Sequence, residues 1–354
     1  MRIDCEKLHE LASGLTVSRD KIHVMEVCGT HTMAIAASGL RSLLPDEVKL
    51  TSGPGCPVCV TDQSYIDQAV WLAGQEEVVI ATYGDMVRVP GEAGSLAEAR
   101  ARGATIEVVC SADKAVELAR KMPDKQIVFL AVGFETTAPG TAMAILRAKK
   151  EGLENFTAFA AHKLMLPAMR ALLEGGRSQI DGFLCPGHVS VILGWKAYDG
   201  IAAKFGKPCV VAGFDPSQIA AGIEEILTQI DAGRAEACSV YSSVSAEGNA
   251  EAKKMIDGVF APTDAVWRAL GVIADSGLGI RDEFAAHDST RRFALPEAES
   301  YEMPGCRCGE VISGICTPHD CDLFAAVCTP RNPVGPCMVS SEGACSAAYK
   351  YERR

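Results

Sequence analysis

The strongest constraint on the fold of this 354-residue chain is the alternation of short apolar runs with helix-like segments from residue 22 to residue 230. Apolar runs such as 78–82 and 127–132 are bounded by polar turns, which is typical of buried strands. Segments such as 138–150 and 216–232 carry apolar residues at helical spacing. Strands that alternate with helices in this way predict parallel βαβ units, and therefore an α/β fold.

A region of about 200 residues can hold one large sheet or two smaller ones, and we expect two, dividing near residues 121–125. The last third of the chain mixes helix and strand, and after Pro304 it is rich in Cys, Pro and Gly. Because such a segment cannot build a core of its own, we expect it to depend on a metal centre. The predicted domains are a first α/β half that begins with a helix over 4–19, a second α/β half, and a mixed, cysteine-rich segment: residues 1–121, 122–233 and 234–354.

The formal net charge of −11 argues against a nucleic-acid partner, because the chain offers no basic face to phosphate. No apolar stretch is long enough to span a bilayer, and the N-terminal residues carry charges every few positions, unlike a signal peptide. We therefore expect a cytoplasmic protein without a membrane partner. In that reducing compartment the fifteen cysteines are expected to bind metal or do redox chemistry rather than to form structural disulfides.

Two of these cysteines lie in the loop GPGCPVC at residues 53–59, where glycines and prolines surround Cys56 and Cys59. A Cys-x-x-Cys pair supports a redox disulfide or half of a metal site, and it can also be two buried thiols beside a turn. The helix predicted to follow the loop places its positive end near Cys59, which favours the thiolate. We therefore expect redox chemistry or metal exchange here.

Cys28 and His31 lie on another glycine-bearing turn, between the first predicted strand and a predicted helix over 33–44. Both are metal-ligand residue types, and Gly29 lets the backbone come close to a ligand. A Cys–His nucleophile pair is the enzymatic alternative, and a small core residue is the plain interpretation of Cys28. Its place near a second thiol loop favours a functional role.

The C-terminal end of the chain carries seven further cysteines: Cys306, Cys308, Cys316, Cys321, Cys328, Cys337 and Cys345. Structural zinc sites usually take two short Cys-x-x-Cys knuckles, and this segment has none. An all-thiolate iron–sulfur cluster accepts long and uneven spacings, since each ligand can come from its own loop. We therefore favour an iron–sulfur site over zinc and over purely structural cysteines.

Further polar residues follow the predicted strands, and in open parallel sheets ligand sites gather at the carboxyl ends of strands. The plain alternatives are a helix N-cap for the threonines, a surface ion pair for the aspartate and arginine, and hydrogen bonds at strand ends for the histidines. No glycine-rich phosphate-binding motif occurs, so nucleotide chemistry has no support. Together with the thiol loops, these residues predict one cleft: Asp85, Arg88, Glu135, Thr136, Thr137, His162 and His188.

Six short segments of the chain form a recognisable set: CGTH at 28–31, GPGCPVC at 53–59, GFETT at 133–137, PGHVS at 186–190, GPCMVS at 335–340 and YKY at 349–351. Taken in this order, they resemble the HypD family of nickel–iron hydrogenase maturation proteins. The resemblance covers nearly the whole chain. It implies two Rossmann-like parallel-sheet halves followed by a cysteine-rich iron–sulfur domain, which agrees with the α/β pattern.

The resemblance also implies a function. HypD-like proteins act with a small HypC-type partner as the scaffold on which iron acquires one carbon monoxide and two cyanide ligands. Cyanide comes from a HypE-type donor, and the finished Fe(CN)2CO unit passes to the hydrogenase large subunit. The chain is thus expected to be an assembly scaffold with redox activity rather than a turnover enzyme on a free metabolite.

The family's residue roles carry over to the matching positions. The resemblance implies that Cys28 is the iron ligand with His31 close by, and that Cys56 and Cys59 cycle between dithiol and disulfide. Its ligands for a 4Fe-4S cluster fall on Cys306, Cys321, Cys328 and Cys345, which leaves Cys308, Cys316 and Cys337 over. Glu135, Thr136, Thr137 and His188 lie in matching motifs. Two other functions stay open: an iron–sulfur-dependent disulfide reductase acting on a protein partner, and a purely structural cluster protein.

Overall fold

The computed structural model describes Leu15 and residues 21–175 and 179–352. The predicted helix over 4–19 therefore lies outside the described residues, apart from Leu15, which is buried. The strands are β1 (Ile22–Glu26), β2 (Val48–Ser52), β3 (Val78–Thr82), β4 (Thr105–Val108), β5 (Gln126–Gly133), β6 (Phe156–His162), β7 (Gly182–Cys185), β8 (Cys209–Val211), β9 (Ala237–Ser239), β10 (Phe260–Trp267) and β11 (Gly271–Ile280).

None of the helices in this part of the chain is long and apolar enough to cross a membrane. The α-helices are α1 (Gly29–Ser38), α2 (Pro57–Val60), α3 (Gln63–Ala73), α4 (Leu96–Ala101), α5 (Ala112–Lys121), α6 (Ala138–Glu151), α7 (Met165–Glu174), α8 (Gly187–Leu193), α9 (Asp199–Phe205), α10 (Pro216–Asp231), α11 (Ala250–Val259), α12 (Ser289–Arg292), α13 (Cys308–Ile312), α14 (Pro336–Val339) and α15 (Ala344–Tyr351). Short 3-10 turns lie at Leu40–Ser42, Gly84–Met86, Trp195–Tyr198, Asp282–His287 and Pro318–Asp320.

The strands form two parallel sheets and one antiparallel hairpin, which confirms the predicted α/β class. The first sheet has five strands in the order β2-β1-β7-β8-β9, and the second has four in the order β4-β3-β5-β6. β10 and β11 make the hairpin. The cysteine-rich segment that follows contains the short helices α13 and α14 and ends in α15, which packs against α1.

The two sheets do not divide at residues 121–125 as predicted. β5, which follows that point, pairs in parallel with β3, which precedes it. β1 pairs instead with β7, so the first sheet is built from both ends of the α/β region and the second is inserted between them. The alternation of strands and helices carries no information on strand order, so the pattern alone misplaced the division. As folding domains, residues 1–121, 122–233 and 234–354 stay predictions.

Local signals explain the helix ends next to the first sheet. The helix predicted over 33–44 begins four residues earlier, at Gly29, with Cys28 as its N-cap residue. It ends at Ser38, since Gly39 adopts a left-handed conformation with φ 68°, which a glycine takes without strain. Asp62 caps the start of α3, because its side chain accepts a hydrogen bond from Ser64 N at 3.0 Å.

One core of buried side chains joins the two sheets and the hairpin. It contains Met25 and Phe183 from the first sheet, Val128 and Leu130 from the second, and Trp267 from the end of β10. Burial of this shared core keeps the sheets together. The loops that follow their strands therefore meet, and the candidate site lies where they do.

Candidate functional site

A cavity of about 620 Å³ opens where the loops after five strands converge. These loops follow β1, β2, β3, β5 and β7, so both parallel sheets contribute. Its position matches the rule that parallel sheets bind ligands at the carboxyl ends of their strands. Among the lining residues are Cys28, Gly55, Asp85, Thr136, Thr137, His188, Ser340 and Glu342.

Cys28 lies at the wall of this cavity, between β1 and α1, and is 6% exposed. Burial raises the pKa of its thiol to about 12. Its backbone N–H donates to Glu26 Oε2 at 3.2 Å, and the Thr32 hydroxyl donates to Glu26 Oε1 at 2.6 Å. Glu26 is fully buried, and burial raises the pKa of its carboxyl to about 7. The sequence interpretation missed Glu26, although one acidic residue inside an apolar strand was a usable signal.

The Cys28 turn and the Cys56 loop are in direct backbone contact. Gly29 N donates to Gly55 O at 3.0 Å, and Gly53 N donates to Glu26 O at 2.7 Å. A Cβ on Gly55 would lie under 3.0 Å from Cys28 N and from Cys28 Cα. Only glycine fits there, because the atoms it meets are backbone atoms that cannot turn aside.

Cys56 caps the one-turn helix α2, and its sulfur accepts a hydrogen bond from Cys59 N at 3.2 Å. The helix start therefore favours negative charge on Cys56 rather than on Cys59. The expected thiolate at Cys59 is wrong for this structure, because Cys59 is inside α2 with no exposed surface and burial raises the pKa of its thiol well above the ordinary value.

The dithiol connects to the C-terminal cysteines through Cys337. The Cys59 side chain interacts with that of Cys337, whose sulfur lies 2.7 Å from that of Cys308. Cys308 in turn interacts with Cys306. The sequence interpretation left Cys308 and Cys337 without a role, and only the presence of Cys337 in a family motif hinted at one.

Six cysteines line one small cavity: Cys306, Cys308, Cys321, Cys328, Cys337 and Cys345. This set includes all four predicted cluster ligands, and apolar side chains such as Val311 and Phe324 complete the wall. Cys316 instead lines a separate cavity beside β2. A thiol-rich, largely apolar cavity fits an iron–sulfur cluster, whose irons take cysteine thiolates from separate loops.

A single zinc ion requires a specific arrangement of its ligands, because four sulfurs at about 2.3 Å from the ion would lie about 3.8 Å from each other. Within residues 21–175 and 179–352, no three His, Cys, Asp or Glu side chains are placed to hold a single metal ion.

A buried arginine braces the dithiol helix from the side of the hairpin. Arg268 N donates to Val60 O at 3.0 Å, Nε to Thr61 O at 3.2 Å and Nη2 to Gln63 Oε1 at 3.1 Å. Its side chain is almost fully buried. The hairpin thus fixes the C-terminal end of α2, which no sequence pattern indicated.

His31 and His188 both pack against the ring of Phe214. His31 is buried, and because a carbonyl only accepts, its Nε2–H donates to Gly213 O at 2.9 Å. Burial lowers its pKa to about 4, so the ring is neutral at pH 7. The exposed ring of His188 stacks on Phe214 with 4.0 Å between centroids, and His31 meets Phe214 at 5.2 Å.

Two predicted cleft residues lie away from the cavity. The buried Glu135 carboxylate accepts from Met165 N at 2.9 Å, and burial raises its pKa to about 7. His162 is also buried, beside the Thr141 hydroxyl at 3.2 Å, and burial lowers its pKa to about 3. The single predicted cleft therefore gathers only part of the predicted residues.

The plain interpretations of the remaining residues also differ from the structure. Thr137 precedes α6 but makes no side-chain cap bond, and Thr136 is exposed at the cavity. Asp85 and Arg88 bond separate partners rather than each other, since Arg88 Nη2 donates to Pro330 O at 2.6 Å and Asp85 accepts from Ser340. The surface ion pair is therefore wrong.

The segment 340–342 crosses from the cysteine-rich region to the cavity. Thr30 Oγ1, on the Cys28 turn, donates to Glu342 Oε1 at 2.6 Å. A Cβ on Gly29 would meet the Glu342 Cβ at 2.5 Å, so the two segments are in close contact. This contact joins residues more than 300 positions apart, which no local pattern could indicate.

Comparison with known proteins identifies the chain. A family model described as "HypD: Hydrogenase formation hypA family" matches residues 4–352. The chain belongs to the HypD family. It is 44% identical over 344 residues to the hydrogenase maturation factor HypD2 of Bradyrhizobium diazoefficiens, covering 95% of this chain and 90% of that relative. It is 42% identical to HypD of Escherichia coli over 352 residues, with 99% and 94% covered, and to HypD of Cupriavidus necator over 342 residues, with 94% and 90% covered.

Membership of the HypD family makes this chain a hydrogenase maturation factor and confirms the resemblance seen in the sequence. The HypD-like segments that carried the resemblance also surround the site. Residues of the turns at 28–31, 53–59, 133–137 and 186–190 line the 620 Å³ cavity, and Cys337 of the segment at 335–340 lines the six-cysteine cavity.

Proposed function

We propose that this chain is the scaffold on which the Fe(CN)2CO unit of nickel–iron hydrogenase is assembled. The observation that carries the proposal is the arrangement of its thiols. Cys28 lies at the cavity wall, and the turn that carries it is hydrogen-bonded to the loop of Cys56 and Cys59. Cys337 and Cys308 connect Cys59 to the six-cysteine cavity. A site of this kind offers one sulfur to a cargo atom and keeps a redox pair within reach.

Cys28 is the proposed ligand of the cargo iron. Iron that will collect cyanide and carbon monoxide suits a strong, soft ligand such as a thiolate. Because burial holds the Cys28 thiol protonated, the thiolate forms only when an arriving cation replaces the proton. Cys28 therefore stays a protonated thiol in the free protein. The same region contains two imidazoles, the buried and neutral ring of His31 and the exposed ring of His188 at the cavity.

Cys56 and Cys59 are the proposed redox pair. Cys56 accepts the Cys59 N–H and is the sulfur better placed to carry charge. A 4Fe-4S cluster held by Cys306, Cys321, Cys328 and Cys345 would supply one-electron transfer to this region when bound. Cys308 and Cys337 also line that cavity, and Cys337 interacts with Cys59, so they belong to the same thiol set.

The proposed partners are those of the maturation pathway: a small HypC-type protein, a HypE-type cyanide donor and, through the complex, the hydrogenase large subunit. Two features support docking at the cavity. The cavity is open and lined largely by loops, and Val191, an apolar residue at its wall, is 37% exposed. A partner that covers the opening would shield the cargo iron from water.

Infrared spectroscopy of the anaerobically purified complex with the small partner tests the proposal. We expect cyanide and carbonyl stretching bands in the parent complex and their loss in Cys28→Ala. The matched control is Cys110→Ala, which removes an exposed cysteine after β4 and should leave the bands unchanged. Undiminished bands in Cys28→Ala would show that Cys28 is not the ligand.

A disulfide reductase is the second candidate, and the continuous set of thiols from Cys56 to Cys308 favours it. The two functions differ in what they require of Cys28. A reductase acting through Cys56 and Cys59 keeps its rate of partner reduction in Cys28→Ala, whereas the scaffold loses its cargo. If the parent reduces a partner disulfide but shows no infrared bands, the reductase is the better description.

A further inference from the structure

A chain of hydrogen bonds leads from the Cys56 sulfur to the cavity. The Cys56 thiol donates to Ser340 Oγ at 3.3 Å, and the Ser340 hydroxyl donates to Asp85 Oδ2 at 3.2 Å. Cys56 and Ser340 are nearly buried, with 5% and 2% of their surface exposed, whereas Asp85 lies at the cavity wall. Each donor points toward the cavity, so the bonds are oriented to move a proton outward.

We propose that Ser340 and Asp85 carry the proton away from the Cys56 thiol when the Cys56–Cys59 dithiol is oxidised. Ser340 touches the reacting sulfur, and Asp85 acts through Ser340. The proposal rests on the redox role of the dithiol given above. It gives a function to Asp85, which has none in the proposed redox role of the dithiol.

The surroundings of each atom fit this task. When the proton leaves Cys56, the Cys59 N–H at 3.2 Å stabilises the remaining negative charge on sulfur. Asp85 Oδ2 is held in place by Ser341, whose N–H and hydroxyl each donate to it at 2.9 Å. A carboxylate can accept a proton that a buried thiol cannot pass to water. The other residues beside this path are Cys59 and Cys337, whose thiols interact with each other, and Glu342, whose backbone N–H donates to Ser340 Oγ at 3.2 Å while its carboxylate accepts from Thr30.

The reaction balances with a small disulfide as oxidant. The Cys56 thiolate attacks one sulfur of the disulfide, whose S–S bond breaks and releases one thiolate. The Cys59 thiolate then attacks Cys56, forms the intramolecular disulfide and releases the second thiolate. Two electrons pass from the protein to the small disulfide, and the two protons end on the released thiols, the first by way of Ser340 and Asp85.

The test measures the rate of Cys56–Cys59 disulfide formation in the full chain with glutathione disulfide, followed by mass spectrometry of the peptide that contains both cysteines. We expect Ser340→Ala and Asp85→Asn to slow the reaction at pH 7 by about tenfold, a modest effect for a lost proton acceptor. Ser38→Ala is the matched control, because it removes a half-buried hydroxyl that donates to Ile35 O on α1, outside the path, and should change the rate less than twofold.

A pH profile separates proton transfer from a structural effect. At pH 9 hydroxide takes the proton directly, so the deficit of Ser340→Ala should shrink, and Ser340→Thr, which keeps the hydroxyl, should restore the rate at pH 7. A deficit of equal size at both pH values, or a Ser340→Ala rate within twofold of Ser38→Ala, overturns the proposal. If Asp85→Asn fails to fold, the Ser340→Ala and Ser340→Thr pair still decides it.

The same measurements distinguish this inference from the proposed function. If the parent forms no Cys56–Cys59 disulfide, the redox role of the dithiol fails and the proton path fails with it. If the parent forms the disulfide and the variants match it, only the proton path is wrong.

Discussion

Replacement of Gly55 by alanine tests the close contact on which the site depends. The added Cβ would lie under 3.0 Å from Cys28 N, Cys28 Cα and the Val27 carbonyl carbon, all of which are backbone atoms. The two loops must therefore move apart, and the bond from Gly29 N to Gly55 O, 3.0 Å long, must lengthen or break.

The expected cost follows from these two effects. Overpacking a tight site costs about 1–3 kcal/mol, and a buried N–H left without a partner costs about 1–3 kcal/mol. Alanine recovers about 0.4–1 kcal/mol by restricting the unfolded chain. We therefore expect Gly55→Ala to lower the free energy of unfolding by about 1–6 kcal/mol, against a typical total of about 5–15 kcal/mol.

Urea unfolding followed by far-ultraviolet circular dichroism measures this change as a lower midpoint with an unchanged slope. The control is Gly140→Ala on α6, where an added Cβ meets nothing within 4 Å. That variant should keep its stability or gain up to about 1 kcal/mol. A Gly55→Ala protein with the parent's midpoint would refute the steric reasoning.

Three further predictions use other parts of the structure. Burial lowers the pKa of His162 to about 3, so only the unfolded chain gains a proton as pH falls through the unfolded value of 6.5, and this histidine destabilises the fold at low pH. His162→Gln should therefore gain about 2 kcal/mol relative to the parent between pH 7 and pH 5 in urea titrations, and a constant difference contradicts this. Arg268→Met removes buried hydrogen bonds and should lower the free energy of unfolding by about 2–4 kcal/mol, against less than about 1 kcal/mol for the exposed Arg147→Met. Cys321→Ser should abolish iron and sulfide binding in chemical analysis, whereas Cys316→Ser, outside the six-cysteine cavity, should retain both; equal contents in the two variants would contradict the ligand assignment.

The positions of the strands could be predicted because their residues are buried on both faces. In β3 every side chain is buried, so its sequence is a continuous apolar run that stands out from the polar turns around it. The order of the strands could not be predicted this way. The pairing of β1 with β7 depends on contacts between distant segments, and both strands would look the same in any order of the sheet.

The residues of the candidate site likewise fall into those that the sequence could indicate and those that it could not. Cys28, Cys56 and Cys59 could be found because thiols on glycine-bearing turns after strands are uncommon and chemically specific. The neighbours that act on them could not. Ser340 lies 284 positions from Cys56 along the chain, and Cys308 and Cys337 are 29 apart, so no spacing rule relates them. Glu26 differs from these, because an acidic residue inside an apolar strand was a usable signal, and its burial follows from the strands on both sides of β1.

The strands of the first sheet come from distant parts of the chain, and this affects the order in which the protein can fold during synthesis. β1 gains its neighbour β7 only after about 160 further residues have been synthesised, which takes about 8–30 s at the usual rate of translation. The second sheet, whose strands all lie between residues 78 and 162, can form during that interval. The turn that bears Cys28 therefore stays open while much of the protein is already folded, and it closes only when the last third of the chain arrives to cover it.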